Sequence, residues 1–175
     1  MIDKSIENVL NKEGRNIVIP ADLVATVGVD NNLQHAFLVL TKVKYAKIPV
    51  VDNRNHLKGM LSLPMITEQM LQNSGINSEV LNTIKVKDIM ETNVKTVHDK
   101  NDFEMILGAL VDENFLPLVN QENEFLGIIT RRELFKQFNF LVHNYSKYYV
   151  ALHAYMQVPE HSVTSKQRLK KQNYS

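Results

Sequence analysis

Apolar and polar positions along this chain form a pattern that is written twice. Ile48-Pro49-Val50-Val51-Asp52 followed by Leu57-Lys58-Gly59-Met60-Leu61-Ser62 recurs 68 residues later as Leu116-Pro117-Leu118-Val119-Asn120 followed by Phe125-Leu126-Gly127-Ile128-Ile129-Thr130. In each block two short apolar runs flank a polar turn, Asn53 to His56 and Gln121 to Glu124, which predicts a β-hairpin. Upstream, Leu33, Ala36, Phe37 and Leu40 fall at i, i+3, i+4 and i+7, and Phe103, Ile106, Leu107, Leu110 and Val111 repeat the stripe. That spacing predicts an amphipathic helix before each hairpin. Here the offset is 70, as in Val27 with Val97, so the second copy is two residues shorter between helix and hairpin. A loop is the expected place for that loss.

Each hairpin is followed by a second helix start. Thr130-Arg131-Arg132-Glu133 has the form of a capping box, in which the threonine oxygen accepts a free backbone N–H and the glutamate reaches back. Ser62-Leu63-Pro64-Met65 keeps the hydroxyl and a first-turn proline but lacks the acid. The repeating unit is therefore short strand, helix, hairpin, helix. Outside it, Ile2, Ile6, Val9 and Leu10 predict a short helix ended by Gly14, and Leu134, Phe138, Leu141 and Tyr145 predict a longer helix after Thr130. Tyr145, Tyr148, Tyr149 and Tyr155 crowd together before Pro159, either as cover for a dimer core or as a partner surface. From Ser162 the chain is polar and basic, and disorder is expected. The predicted division is an N-terminal helix over 1–14, a first repeat over 15–80, a second over 81–140, and a helical extension with a basic tail over 141–175.

Composition removes several classes of function. With 44% hydrophobic and 22% charged residues in 175 positions, the chain is globular, and its lack of any cysteine excludes disulfide scaffolds, cysteine zinc sites, iron–sulfur clusters and thiol nucleophiles. Apolar runs such as Phe37 to Leu40 fall far short of the roughly 18 residues a spanning helix needs, and no secretory leader opens the chain, so a cytoplasmic location is expected. The net charge of +1 hides a tail with Lys166, Arg168, Lys170 and Lys171 and no acid, which leaves the body net acidic. Only that tail is a candidate nucleic-acid surface. The six histidines show no ligand spacing and no nucleophile is paired with a base, so neither a metal nor an enzymatic reaction is expected.

The double unit resembles a pair of CBS domains, the Bateman module, over roughly residues 15 to 140. Besides the two hairpin blocks, Val86-Lys87-Asp88-Ile89-Met90 and Gly127-Ile128-Ile129-Thr130-Arg131-Arg132-Glu133 carry the resemblance. Ile19 to Val27, Asn31 to Ala36 and Leu38 to Lys42 are similar to the small stand-alone CBS proteins of Gram-positive bacteria that bind cyclic di-AMP. The resemblance implies an α/β (α+β) fold of two strand-helix-strand-strand-helix repeats related by a pseudo-two-fold axis. It also implies a non-enzymatic, homodimeric receptor that holds cyclic di-AMP between the repeats without a metal. A protein partner, such as a (p)ppGpp synthetase/hydrolase or pyruvate carboxylase, would read the loaded or empty state. Two alternatives stay open at this point: an energy sensor for AMP, ADP or ATP, and a nucleic-acid binder using the basic tail.

Candidate ligand-binding residues follow from that resemblance and from their chemistry. Arg131 and Arg132 stand in the first turn of a helix, where free N–H groups favour an anion and each guanidinium can grip a phosphate through two hydrogen bonds; otherwise they are solvated charges paired with nearby acids. Thr130 and Glu133 either cap that helix or touch phosphate and ribose. Met65, at the matching acid position of the first copy, cannot accept a ribose hydroxyl, which counts against an ordinary mononucleotide site there. Leu23, Ala25 and Thr26 lie where the chain would pass the cleft, with backbone groups able to read an adenine edge. Tyr45, Ala46, Lys47, Ile48 and Pro49 complete the set, with Tyr45 stacking on a base or simply packing and Ile48 lying on the ring.

Overall fold

The computed structural model describes residues 17–73 and 75–156, without the side chains of residues 72, 141 and 145–156. The expected helix over 1–14, the tyrosine side chains from Tyr145 to Tyr155 and the tail from 157 lie outside the described residues. In chain order the elements are β1 (Val18–Pro20), β2 (Val27–Gly28), α1 (Leu33–Val43), β3 (Lys47–Val51), β4 (Leu57–Ser62), α2 (Leu63–Met70), β5 (Leu71–Gln72), β6 (Gly75–Ile76), α3 (Val86–Ile89), α4 (Phe103–Asp112), β7 (Phe115–Val119), β8 (Phe125–Thr130) and α5 (Arg131–Met156). Both predicted hairpins form, β3 with β4 and β7 with β8, in matching registers that include Pro49 opposite Met60 and Pro117 opposite Ile128.

Each half buries the same positions of the repeat. Val27, Leu33, Ala36, Leu40, Ile48, Val50, Leu61 and Ile66 fill one core, and Val97, Phe103, Ile106, Leu110, Leu116, Leu118, Ile129 and Leu134 fill the other. The helix stripes supply one wall of each core and alternate residues of the hairpins supply the facing wall. Val111 departs from its expected place in the stripe and is 76% exposed, at the edge of the buried arc, as its counterpart Thr41 is in α1. The two-residue shortening of the second copy is divided between helix and loop. α1 has 11 residues and closes on Lys44 in the left-handed conformation, whereas α4 has 10 and closes on an extended Glu113.

Polar side chains fix the helix starts. Asn32 accepts the His35 N–H at 2.9 Å, Asp102 the Met105 N–H at 3.0 Å and Thr130 the Glu133 N–H at 3.1 Å. The predicted capping box at α5 is half made, because the Glu133 carboxylate accepts from Lys136 Nζ at 2.6 Å.

The two halves exchange strands. The sheet of the first half has the order β2-β3-β4, with β2 parallel to β3. In the second half Val97 is reduced to a single parallel bridge to Leu118, and the third strand beside β8 is β1, from the start of the chain. The counterpart of β1 is Glu91, which bridges Met60 on β4. Two glycines allow these approaches. A Cβ on Gly59 would strike the Glu91 carbonyl oxygen, and one on Gly127, whose φ is 149°, would strike that of Ile19.

The hairpin turns complete the exchange. Leu57 N–H donates to Asn123 O at 2.9 Å and Phe125 N–H to Asn55 O at 2.8 Å. Asn55 Nδ2 donates to Phe125 O at 2.9 Å and Asn123 Nδ2 to Leu57 O at 2.6 Å. Both asparagines have φ of 64°, a left-handed conformation that asparagine tolerates better than most residues. Each turn is anchored by one residue: Asp52 Oδ1 accepts the N–H groups of Arg54 and His56, and Asn120 Oδ1 accepts those of Glu122 and Glu124. Partial burial pushes the Asp52 carboxyl up. The His56 amide and ring, the Arg54 amide and Lys58 Nζ outweigh it and hold the group well below the usual carboxylate range.

Two tests follow from these contacts. Gly127→Ala is expected to cost at least about 1–3 kcal/mol from its backbone conformation alone, whereas Gly108→Ala, in an open part of α4, should add about 0.5–1 kcal/mol; urea unfolding of both variants checks the contrast. Because the folded-state pKa of Asp52 is depressed, its stabilising contribution is complete above the ordinary value of 3.8 and is lost as pH falls below it. Asp52→Asn, which installs the residue found at Asn120, should therefore lose less stability than the wild type between about pH 6 and pH 2.5.

Candidate functional site

A cavity of about 670 Å³ lies between the halves, within the range of about 300–1,000 Å³ usual for small-molecule sites. Its walls follow the pseudo-two-fold. Ile19 matches Glu91, Val24 matches Val94, the Tyr45–Lys47 loop matches Glu113–Phe115, Pro49 matches Pro117, and Met60 matches Ile128. The symmetry breaks at the helix starts: Thr130, Arg132 and Glu133 of α5 line the cavity, while the corresponding Ser62, Pro64 and Met65 do not.

Four cations and three acids stand around this space: Lys44, Lys47, Lys95 and Arg132 with Glu91, Glu113 and Glu133. Two of the acids are already paired, Glu91 with Lys47 at 2.6 Å and Glu133 with Lys136 at 2.6 Å. The side chains of Arg132, Lys44 and Lys95 make no hydrogen bond or ion pair with any described residue. They present positive charge to the cavity from both halves of the molecule, and the first turn of α5 adds the partial charge of a helix N-terminus.

Of the residues singled out in the sequence, Tyr45, Ala46, Lys47, Pro49, Thr130, Arg132 and Glu133 meet at this wall. Five others are placed elsewhere. Ile48 is fully buried in the first core, because strand alternation turns it away when Lys47 and Pro49 face the cavity. Leu23 is 69% exposed, Ala25 packs against the first core, and Thr26 is half-buried, while Val24 between them lines the cavity.

Arg131 has a structural task. Its Nε donates to Leu110 O at 2.9 Å, and its Nη2 to Val111 O at 3.2 Å and Glu113 O at 3.0 Å. These are carbonyls at the end of α4 that have no partner within the helix. The first copy carries Leu63 at the matching position, and its α1 is closed instead by left-handed Lys44.

Sequence reading missed Glu91, Asn93, Val94, Lys95, Glu113, Asn114 and Phe115 as cavity residues. The signal was present in the repeat itself. The offset of 70 carries Leu23–Ala25 onto Asn93–Lys95, and the offset of 68 carries Tyr45–Lys47 onto Glu113–Phe115. Among the described residues, no group of three or more His, Cys, Asp or Glu could hold a metal ion, and no helix is long and apolar enough to cross a membrane.

Two halves of this topology with a ligand-sized cleft between them define a module of paired repeats, and the CBS-domain family model matches residues 16–71 and 86–139. The chain belongs to the CBS-domain family. It is 35% identical over 139 residues to the cyclic di-AMP receptor B of Bacillus subtilis, covering 79% of this chain and 95% of that protein. The crystal structure of the Listeria monocytogenes CbpB protein in complex with c-di-AMP is 43% identical, with a TM-score of 0.67 over 72% of this chain and 94% of that one. CbpB from Streptococcus agalactiae superposes at a TM-score of 0.75 with 25% identity, over 83% of this chain and 92% of its own. The name of the first of these relatives and the c-di-AMP complex of the second describe them as binding proteins.

The adjacent arginines should separate cleanly on substitution. Arg131→Ala is expected to lower stability by about 1–3 kcal/mol through the unpaired end of α4. Arg132→Ala should leave the unfolding free energy within about 0.5 kcal/mol of wild type, as for other surface changes. Denaturant unfolding of the two variants side by side makes the comparison.

Proposed function

We propose that this chain is a cytoplasmic receptor for cyclic di-AMP, bound in the cleft between its repeats, and that it acts as a homodimer whose loaded and empty states are read by a protein partner. The observation that carries this reading is the match to the Bacillus subtilis receptor along nearly that protein's whole length. The chemistry of the cleft supports it. The ligand is itself two-fold, with one singly charged phosphate in each half, and the cavity straddles a pseudo-two-fold with unpaired cations on both sides.

In this reading Arg132 grips one phosphate at the N-terminus of α5, with the Thr130 hydroxyl beside it. Lys44, Lys47 and Lys95 serve the other charged edge. Backbone groups near Tyr45 and Ala46 read a base, Tyr45 packs against it, and Pro49 and Pro117 supply apolar walls. Glu133 accepts a ribose hydroxyl. Binding changes partner affinity only as far as the ligand prefers one shape of the protein over the other.

Isothermal titration with cyclic di-AMP, then AMP, ATP and cyclic di-GMP, tests the ligand. Saturable binding of cyclic di-AMP ahead of the others is expected, weakened by roughly 1.5–3 kcal/mol in Arg132→Ala, the scale of a charge-assisted hydrogen bond. Preferred binding of AMP or ATP, or unchanged affinity in the variant, overturns the reading.

A further inference from the structure

One ion pair stands in the cleft wall where the fold does not require charge. Lys47 Nζ lies 2.6 Å from Glu91 Oε2, and the two side chains remain 30% and 43% exposed. Glu91 is fixed independently of that pair: Met60 N–H donates to Glu91 O and Glu91 N–H donates to Met60 O, each at 2.9 Å. Its backbone therefore stays in place beside β4 whether or not the carboxylate is charged.

The second repeat shows what the architecture alone asks for. Its counterparts of Lys47 and Glu91 are Phe115 and Ile19, partly buried against the apolar cluster between the halves and also facing the cavity. Two apolar side chains satisfy these positions there, and a half-exposed ion pair adds little to stability. Neither the architecture nor stability accounts for charge at the Lys47 and Glu91 positions.

Resting on the reading of a phosphate-bearing ligand, we propose that Glu91 is an internal counter-ion that sets the affinity of the site. In the empty cleft its carboxylate holds Lys47 Nζ. A ligand phosphate takes its place on that ammonium, so each binding event must first break the Lys47–Glu91 pair. Glu91 acts through Lys47 and makes no contact with the ligand.

A double-mutant cycle tests this, run by titration calorimetry with the nucleotide that the wild-type chain binds in the series above. Glu91→Gln is expected to tighten binding roughly two- to fivefold, the factor an ion pair of this exposure corresponds to. Lys47→Met should weaken it by about tenfold or more. In the Lys47→Met background, Glu91→Gln should have no effect; should Lys47→Met fail to fold, Lys47→Gln completes the cycle. Equal tightening in both backgrounds means that Glu91 only repels the ligand's charge, and it overturns the proposal. So does unchanged or weaker binding in Glu91→Gln. A wild-type preference for AMP or ATP overturns the cyclic di-AMP reading while the cycle still decides the role of Glu91, and a wild type that binds no nucleotide overturns both.

Discussion

The reciprocal pairing of the two halves across the pseudo-two-fold is the constraint on which the cleft depends. Asn55 and Asn123 each hand a carbonyl and a side-chain amide to the opposite hairpin, and each half lends an extended segment to the other's sheet. Neither set of contacts works without its mirror. Together they bring the N-terminal ends of β3 and β7 to face one another, and the cavity is the space left between them. Gly59 and Gly127 are the price of that closeness, since each lies where another chain segment's carbonyl passes over it.

Much of this was legible because a repeat reports on itself. Alternation with a proline and a glycine at fixed places marks both hairpins, and the buried positions of one copy fall on those of the other, as in Leu33 with Phe103 or Ile66 with Leu134. Which strand pairs with which was not legible. Val18 to Pro20 read as part of the first copy by position but lie in the second sheet, and Leu81 and Val86 lie in the first core although they sit in the second copy's share of the sequence. Hydrophobic patterning states that a strand has a buried face and leaves open whose ladder it joins.

The site was legible in part for a related reason. Residue type identified Arg131 and Arg132 as a pair, but successive helix positions point about 100° apart. One therefore reaches the cavity, and the other turns back to the bare end of α4. The two halves have diverged in complementary ways: the second supplies a helix start suited to an anion, and the first supplies the longer Lys44–Ala46 loop and the Lys47 ammonium. An internally symmetrical frame thus presents an asymmetric surface to a ligand.

The position of β1 also bears on how the chain reaches this state. During synthesis β1 leaves the ribosome before the rest of the repeat region, yet β8, against which it lies, is completed only after both helix–hairpin units have been made. The first core can assemble from local contacts, but the second sheet closes by recruiting a strand from the far end of the repeat region, a pairing of high contact order with its loop-closure entropy still to be met. The first strand of the repeat region is therefore among its last to be seated, and until then the open edge of β8 is exposed to any other extended strand in reach.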